Sequence, residues 1–186
     1  MAKAKKQSSK KKTSRTETIG FRLDPKLRFA AELAARKQRR SLSSFIEWAV
    51  EEATKKVVLE YRESSNLDEP PRAETAFDTI KTVWDVDEAD RFAKLAMTYP
   101  ELLTHDEEVL WKLICQNGFL WKGKYVENSA RGVREWTWNV LPTSLIYVRL
   151  RDNWEVFKQV ASGEKSEDCL PRWQEEMESV RDDIPF

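Results

Sequence analysis

The side chains able to do chemistry in this sequence are cations and hydroxyls rather than nucleophiles. Lys10, Lys11 and Lys12 fall within residues 1–15, which hold seven Lys/Arg and no acid. A second cluster, Arg36, Lys37, Arg39 and Arg40, leads directly into Ser41, Ser43 and Ser44. Ammonium and guanidinium groups suit the oxygens of a polyanion. The usual catalytic and metal-binding types are sparse. His105 is the single histidine; it stands beside Asp106, Glu107 and Glu108, with no nucleophile near it in sequence, and reads as an exposed residue of a helical first turn. Cys115 and Cys169 are 54 residues apart, so no close Cys/His pair has metal-ligand spacing. Phosphate-loop, nucleophile-elbow and paired-acid motifs are also missing. The expectation is a protein without metal, cofactor or enzymatic activity.

The 186 residues are 40% hydrophobic and 34% charged, with a formal net charge of zero. That total hides a division. Residues 1–56 hold 16 Lys/Arg and 6 Asp/Glu, a net of +10, and residues 57–186 hold 16 Lys/Arg and 26 Asp/Glu, a net of −10. Such asymmetry assigns different partners to the two parts. No apolar run approaches the ~18–20 residues that cross a bilayer, and the N-terminus lacks the apolar segment of a secretory signal. Two isolated thiols suit a reducing compartment. A cytoplasmic protein with no membrane partner is expected.

Four regions follow from composition. Residues 1–15 are too polar to order themselves and read as a basic tail, either a phosphate-contacting arm or a solubilising end. Residues 16–60 are strongly periodic. Residues 61–76, with Ser-Ser, Pro-Pro and four acids, read as a linker. Residues 77–186 form an acidic domain with seven of the eight tryptophans.

The elements that must position the basic residues can be read locally. Ile19, Phe21 and Leu23 alternate with Thr18, Gly20 and Arg22, the period of a strand with one apolar and one polar face. A lone strand of this length needs a partner. Asp24-Pro25 starts a helix, because Asp caps the free N–H groups and Pro fits the first position. Leu27, Ala30, Ala31 and Ala34 give it a stripe. Ser41 or Ser43 caps a second helix, on which Leu42, Phe45, Ile46, Ala49, Val50 and Ala53 are continuous. A strand and two short helices make too small a core to stand alone. A dimer, with paired strands over four interlocked helices, is the simplest remedy. Its core would take Ile19, Phe21, Leu23, Leu27, Leu42, Phe45, Ile46, Ala49 and Val50, with Trp48 at the edge of the stripe.

In order and pattern, "IGFRLDPKL" and "RRSLSSFIEWAVEEAT" make residues 17–58 resemble the ribbon-helix-helix family of bacterial and phage DNA-binding proteins, closest in look to its antitoxin-type members. The resemblance covers about a quarter of the chain. It implies an intertwined homodimer that lays a two-stranded ribbon in the major groove of double-stranded DNA. On that reading Thr18, Gly20 and Arg22 face the bases. Arg22 is placed to bond guanine O6 and N7, and Thr18 to touch a thymine methyl or donate a hydrogen bond. The start of the second helix, Ser41, Ser43 and Ser44 with Arg39 and Arg40 before it, would grip a phosphate. Gly20 departs from the family, which usually carries a side chain at the middle reading position. The alternatives are an exposed Arg22 without a ligand and a Ser cluster that only caps.

The acidic domain reads as α-rich with a few short strands, giving a mainly α protein overall, and resembles no known family. Asp85 or Asp87 caps one helix, with Phe92, Leu95 and Ala96 as its stripe. Thr104 with Glu107 is a capping-box pair opening a second, which stops at Asn117-Gly118. "FLWKGKYV" suggests a strand pair turning at Lys122-Gly123, and "REWTWNV" another strand. "LPTSLIYVRLRDNWEVFKQVASGE" reads as a long helix with Pro142 near its first turn, and the last 20 residues are amphipathic with Trp173, Met177 and Val180. Tryptophans are core residues or binding anchors. Trp136 and Trp138, on one face of their strand, are the candidates for exposed anchors to a protein partner. The functional expectation is a dimeric transcriptional regulator or repressor. The alternatives are an antitoxin that represses its own operon and binds a toxin, and an accessory protein of plasmid maintenance or the relaxosome.

Overall fold

The computed structural model describes residues 19–62, 70–128 and 133–173. They are mainly helical, with two small antiparallel sheets. The chain divides into two compact units between Thr79 and Ile80.

In the first unit, residues 19–24 form no regular element, so the strand expected around Phe21 is not made within one chain. A strand needs a neighbour for its N–H and C=O groups, and a single chain offers this segment none. Helix α1 (Pro25–Lys37) begins where Asp24-Pro25 predicts: the Asp24 carboxylate accepts from Lys26 N at 2.9 Å and Leu27 N at 3.4 Å. Helix α2 (Leu42–Thr54) is capped by Ser41, whose Oγ accepts from Ser44 N at 3.1 Å. The two helices pack on each other, yet Ala35 is the only fully buried apolar residue described in this unit.

Described residues at both ends of the expected linker, 61–76, lie in strands. Strand β1 (Val58–Arg62) pairs antiparallel with β2 (Arg72–Thr75), and Arg62 forms an ion pair with Glu74 across the ladder. Ala76 N donates to Val57 O at 2.8 Å, and Thr75 and Asp78 exchange hydrogen bonds in the turn that follows. The short β-forming run Val57–Val58–Leu59 with Tyr61 outweighs the acids and prolines that suggested a break.

The second unit holds the large core. Helix α3 (Ile80–Val83) precedes α4 (Glu88–Thr98), capped by Asp87 through Ala89 N at 3.0 Å. Helix α5 (His105–Gln116) has the expected capping box: Glu107 N donates to Thr104 Oγ1, and Thr104 N donates to Glu107 Oε2. Strands β3 (Gly123–Asn128) and β4 (Val133–Trp138) form a hairpin, and α6 (Tyr147–Ala161) packs on α4 and α5. Phe92, Leu110, Ile114, Leu120, Trp121, Leu150, Trp154 and Phe157 are buried together.

Two expectations shift. The turn at Lys122-Gly123 is not made: residues 118–120 take a 3-10 turn, Trp121 is fully buried with its indole N–H on Ile114 O at 2.8 Å, and Gly123 opens β3. The burial of Trp121 pulls the chain inward where a hairpin would have kept it at the surface. The last long helix starts at Tyr147 rather than near Pro142, because Ser144 ties residues 139–144 into a turn, its Oγ accepting from Leu141 N and donating to Asn139 O.

Candidate nucleic-acid interface

Helix α1 ends in a tight corner. Arg40 N donates to Ala35 O at 2.9 Å and Arg39 N to Arg36 O at 3.0 Å, the paired bonds of a Schellman motif. That motif puts Arg39 in the left-handed region, φ +54°, where glycine is the usual residue. The strained backbone turns the chain directly into Ser41 and α2. Arg40 does not hang free: its guanidinium lies over the Trp48 ring, 5.5 Å from the centroid, and Trp48 in turn meets Phe45 at 5.6 Å. The cation is therefore held on α2 itself by a contact that tolerates a second, anionic partner on its open side.

The start of α2 has the chemistry of an anion site. Its first helix-type bond is Phe45 N to Ser41 O, and Ser41 Oγ takes Ser44 N, so the amides of Leu42 and Ser43 are left at the open end. Ser43 and Ser44 are exposed beside them, and Arg39 and Arg40 stand one to two residues before the cap. The positive end of the helix dipole adds to this field. The expected phosphate group thus comes together as one corner, residues 39–44.

The expected base-reading group is at the other end of α1. Arg22 and Gly20 are exposed, and a side chain built on Gly20 would meet nothing within 4 Å. Thirteen helical residues separate the two groups, about 20 Å along the axis, so one chain presents them at different points. Thr18, Lys10, Lys11 and Lys12 lie outside the described residues.

The expected dimer core is uncovered in a single chain. Ile19 is 78% exposed, Phe21 56%, Leu27 58% and Val50 57%. Leu23, Leu42, Phe45, Ile46 and Ala49 are half-buried.

Trp136 and Trp138 do share a face of β4, but the expectation of exposed anchors is corrected: both are half-buried. Trp136 Nε1 donates to Gly118 O at 3.2 Å and Trp138 Nε1 to Cys115 O at 2.9 Å. A Cβ on Gly118 would come within 2.8 Å of Trp138 and 2.9 Å of Trp136, so a bare backbone is what lets both indoles lie flat. Sequence reading saw Gly118 only as a helix stop. It also missed the left-handed Arg39, which no glycine marks, and the Arg40–Trp48 stack, although a spacing of eight residues across a helix start was a usable signal.

Electrostatics in the second unit serve packing. Asp90, 5% exposed, takes two bonds from Arg151, Nε to Oδ1 at 2.8 Å and Nη2 to Oδ2 at 2.7 Å, tying α4 to α6. The Asp85 carboxyl is held below its ordinary range, first by a hydrogen bond from Lys94 Nζ at 2.6 Å. Burial pushes the Cys115 thiol up to about 11. Among the described residues no group of three or more His, Cys, Asp or Glu is placed to hold a metal ion, and no helix is long and apolar enough to cross a membrane. Comparison of the chain with family models, curated proteins and solved structures finds no match.

Proposed function

We propose that this chain is a homodimeric, sequence-specific DNA-binding regulator of the ribbon-helix-helix type, with its first unit as the DNA-binding and dimerisation module. The observation that carries the reading is the uncovered apolar stripe. Two capped helices bury one alanine fully while Ile19, Phe21, Leu27 and Val50 stay more than half exposed. An unpartnered stripe of that size calls for a second copy. A copy related by a two-fold axis would give residues 18–23 the neighbour that a strand needs. Their polar face then carries Thr18 and Arg22 toward the groove, while the corner at residues 39–44 meets the sugar-phosphate backbone.

The second unit favours the regulator over an antitoxin whose tail folds on its toxin, because it has a core of its own built on Trp121, Tyr99 and Phe157. The deciding experiment is selection of bound fragments from genomic DNA, followed by gel-shift competition on the recovered site. Arg22→Ala is expected to abolish sequence preference and leave weak nonspecific binding. Unchanged preference would overturn the ribbon-in-groove reading.

A further inference from the structure

The second unit holds a tryptophan in a built slot outside its buried core. The Trp173 ring stacks on Trp136 with centroids 4.1 Å apart and planes 14° from parallel. The Arg149 guanidinium also lies over the Trp173 ring, 5.2 Å from its centroid, and is itself fixed by a bond from Nη1 to Phe119 O at 2.8 Å. Its indole N–H donates to the Tyr125 hydroxyl at 3.0 Å. An aromatic stacking partner, a cation over the ring and an acceptor for the N–H together recognise an indole and discriminate against phenylalanine, which has no N–H to offer. The stacking partner is set by the hairpin: Tyr125 and Trp136 are directly opposite in the β3–β4 register and meet edge to face at 5.1 Å. Gly123 keeps it flat, since a Cβ there would reach Trp136 within 2.7 Å.

The occupant arrives on a short segment outside the helices and strands. After Leu170, residues 171–173 belong to no helix or strand, and Asn117 Nδ2 anchors them at Pro171 O, 2.9 Å away. Arg172 is exposed and pairs only with the exposed Asp168 among the described contacts. The slot walls come from β3, β4 and α6, which stand on the core without Trp173. A site filled by a non-helical piece of the same chain is a competitive device: a free ligand binds in proportion to the fraction of time that piece is off.

We propose that this face is an indole-recognition site for a tryptophan-bearing peptide, and that residues 170–173 are a strap by which the chain's own Trp173 competes for it. A protein partner that presents an exposed tryptophan on an extended segment would displace the strap. This proposal stands on the second unit alone and is independent of DNA binding.

The test uses the full chain with Trp173→Ala and N-acetyltryptophanamide as the probe, followed by isothermal titration or saturation-transfer NMR. The variant is expected to bind the probe saturably, at least tenfold more tightly than the wild type, and to bind N-acetylphenylalaninamide no better than the wild type does. Adding Arg149→Met should remove the gain. The stacked Trp136–Trp173 pair should also give an exciton couplet in the far-ultraviolet circular dichroism of the wild type, lost in Trp173→Ala and restored by the probe. Equal probe binding by the two chains, or a couplet of unchanged size after the substitution, would overturn the proposal; the Trp111–Trp121 pair, 6.2 Å apart, leaves a residual signal in both chains.

Discussion

Arg39 holds a left-handed backbone that costs an L-residue about 1 kcal/mol. If it is kept for its charge, stability and DNA affinity should move in opposite directions on substitution. Arg39→Gly is expected to raise thermal stability by about 0.5–1 kcal/mol and to weaken binding to all DNA sequences; a melt and a filter-binding titration check the pair, and a variant that gained both would remove Arg39 from the interface. Gly118 works the other way. Its missing side chain makes room for two indoles, so Gly118→Ala should destabilise the second unit by about 1–3 kcal/mol, measured by chemical denaturation. The thiols offer a third test. With its pKa near 11, Cys115 has about one thiolate in a thousand at pH 8, and it is half-buried, whereas Cys169 is exposed. A disulfide reagent should titrate one thiol quickly in the native chain and the second only on unfolding. The caps at Asp24 and Thr104 were legible in sequence, and that of α2 was narrowed to Ser41 or Ser43, because a cap is written in residues a few positions apart. The conformation of Arg39 and the room above Gly118 were not, since each is fixed by atoms brought from elsewhere.

Between α4 and α6 the structure uses charge where helix packing would ordinarily rely on shape. Asp90 is buried and Arg151 lies 61 residues away on α6, with its side chain 44% exposed. Arg151→Met would leave a buried carboxylate without its partner. Solvent reaches the guanidinium side, which lowers the expected loss below that of a fully buried pair, to about 2 kcal/mol. The Asp85–Lys94 contact adds a pH dependence. Asp85 is depressed in the folded state, so its contribution is present above the ordinary carboxylate pKa and is lost as pH falls through the lower folded value. Glu88 is depressed as well: burial works against it, but the Trp154 indole and Lys158 outweigh that. The second unit should therefore lose stability at acid pH, and Asp85→Asn should flatten that limb in denaturation curves taken at several pH values. The Asp90–Arg151 and Glu88–Lys158 pairs were not legible in advance, because their partners are 61 and 70 residues apart in sequence, and Asp85–Lys94 joins a loop to a helix at no helical spacing. The helices that carry them were legible, with α5 bounded almost to the residue. The pairing of β1 with β2 was not anticipated, because composition weighs residues by type, whereas pairing depends on which short run meets which.

The two units place different demands on solution conditions, and this separates the dimer reading from a monomer. The second unit buries Tyr99, Trp121, Phe157 and Leu150 almost completely, so it has a core that does not depend on concentration. The first unit does not. If a second copy covers Ile19, Phe21, Leu27 and Val50, its stability belongs to the dimer, and each tenfold dilution should cost about 1.4 kcal/mol of it. The probes to tell the units apart are already in the chain. Seven of the eight tryptophans lie at Trp84 or beyond, leaving Trp48 in the first unit. Tryptophan fluorescence therefore follows mainly the second unit, while helical circular dichroism follows α1 and α2 as well. Full-length protein melted over a hundredfold range of concentration should show a fluorescence midpoint that stays put and a dichroism component that moves to higher temperature as concentration rises. Multi-angle light scattering on the same samples should give twice the 21.8 kDa chain mass at the upper end. A monomer mass with both signals independent of concentration would mean that the apolar stripe has another cover, and the two-fold ribbon would have no second strand.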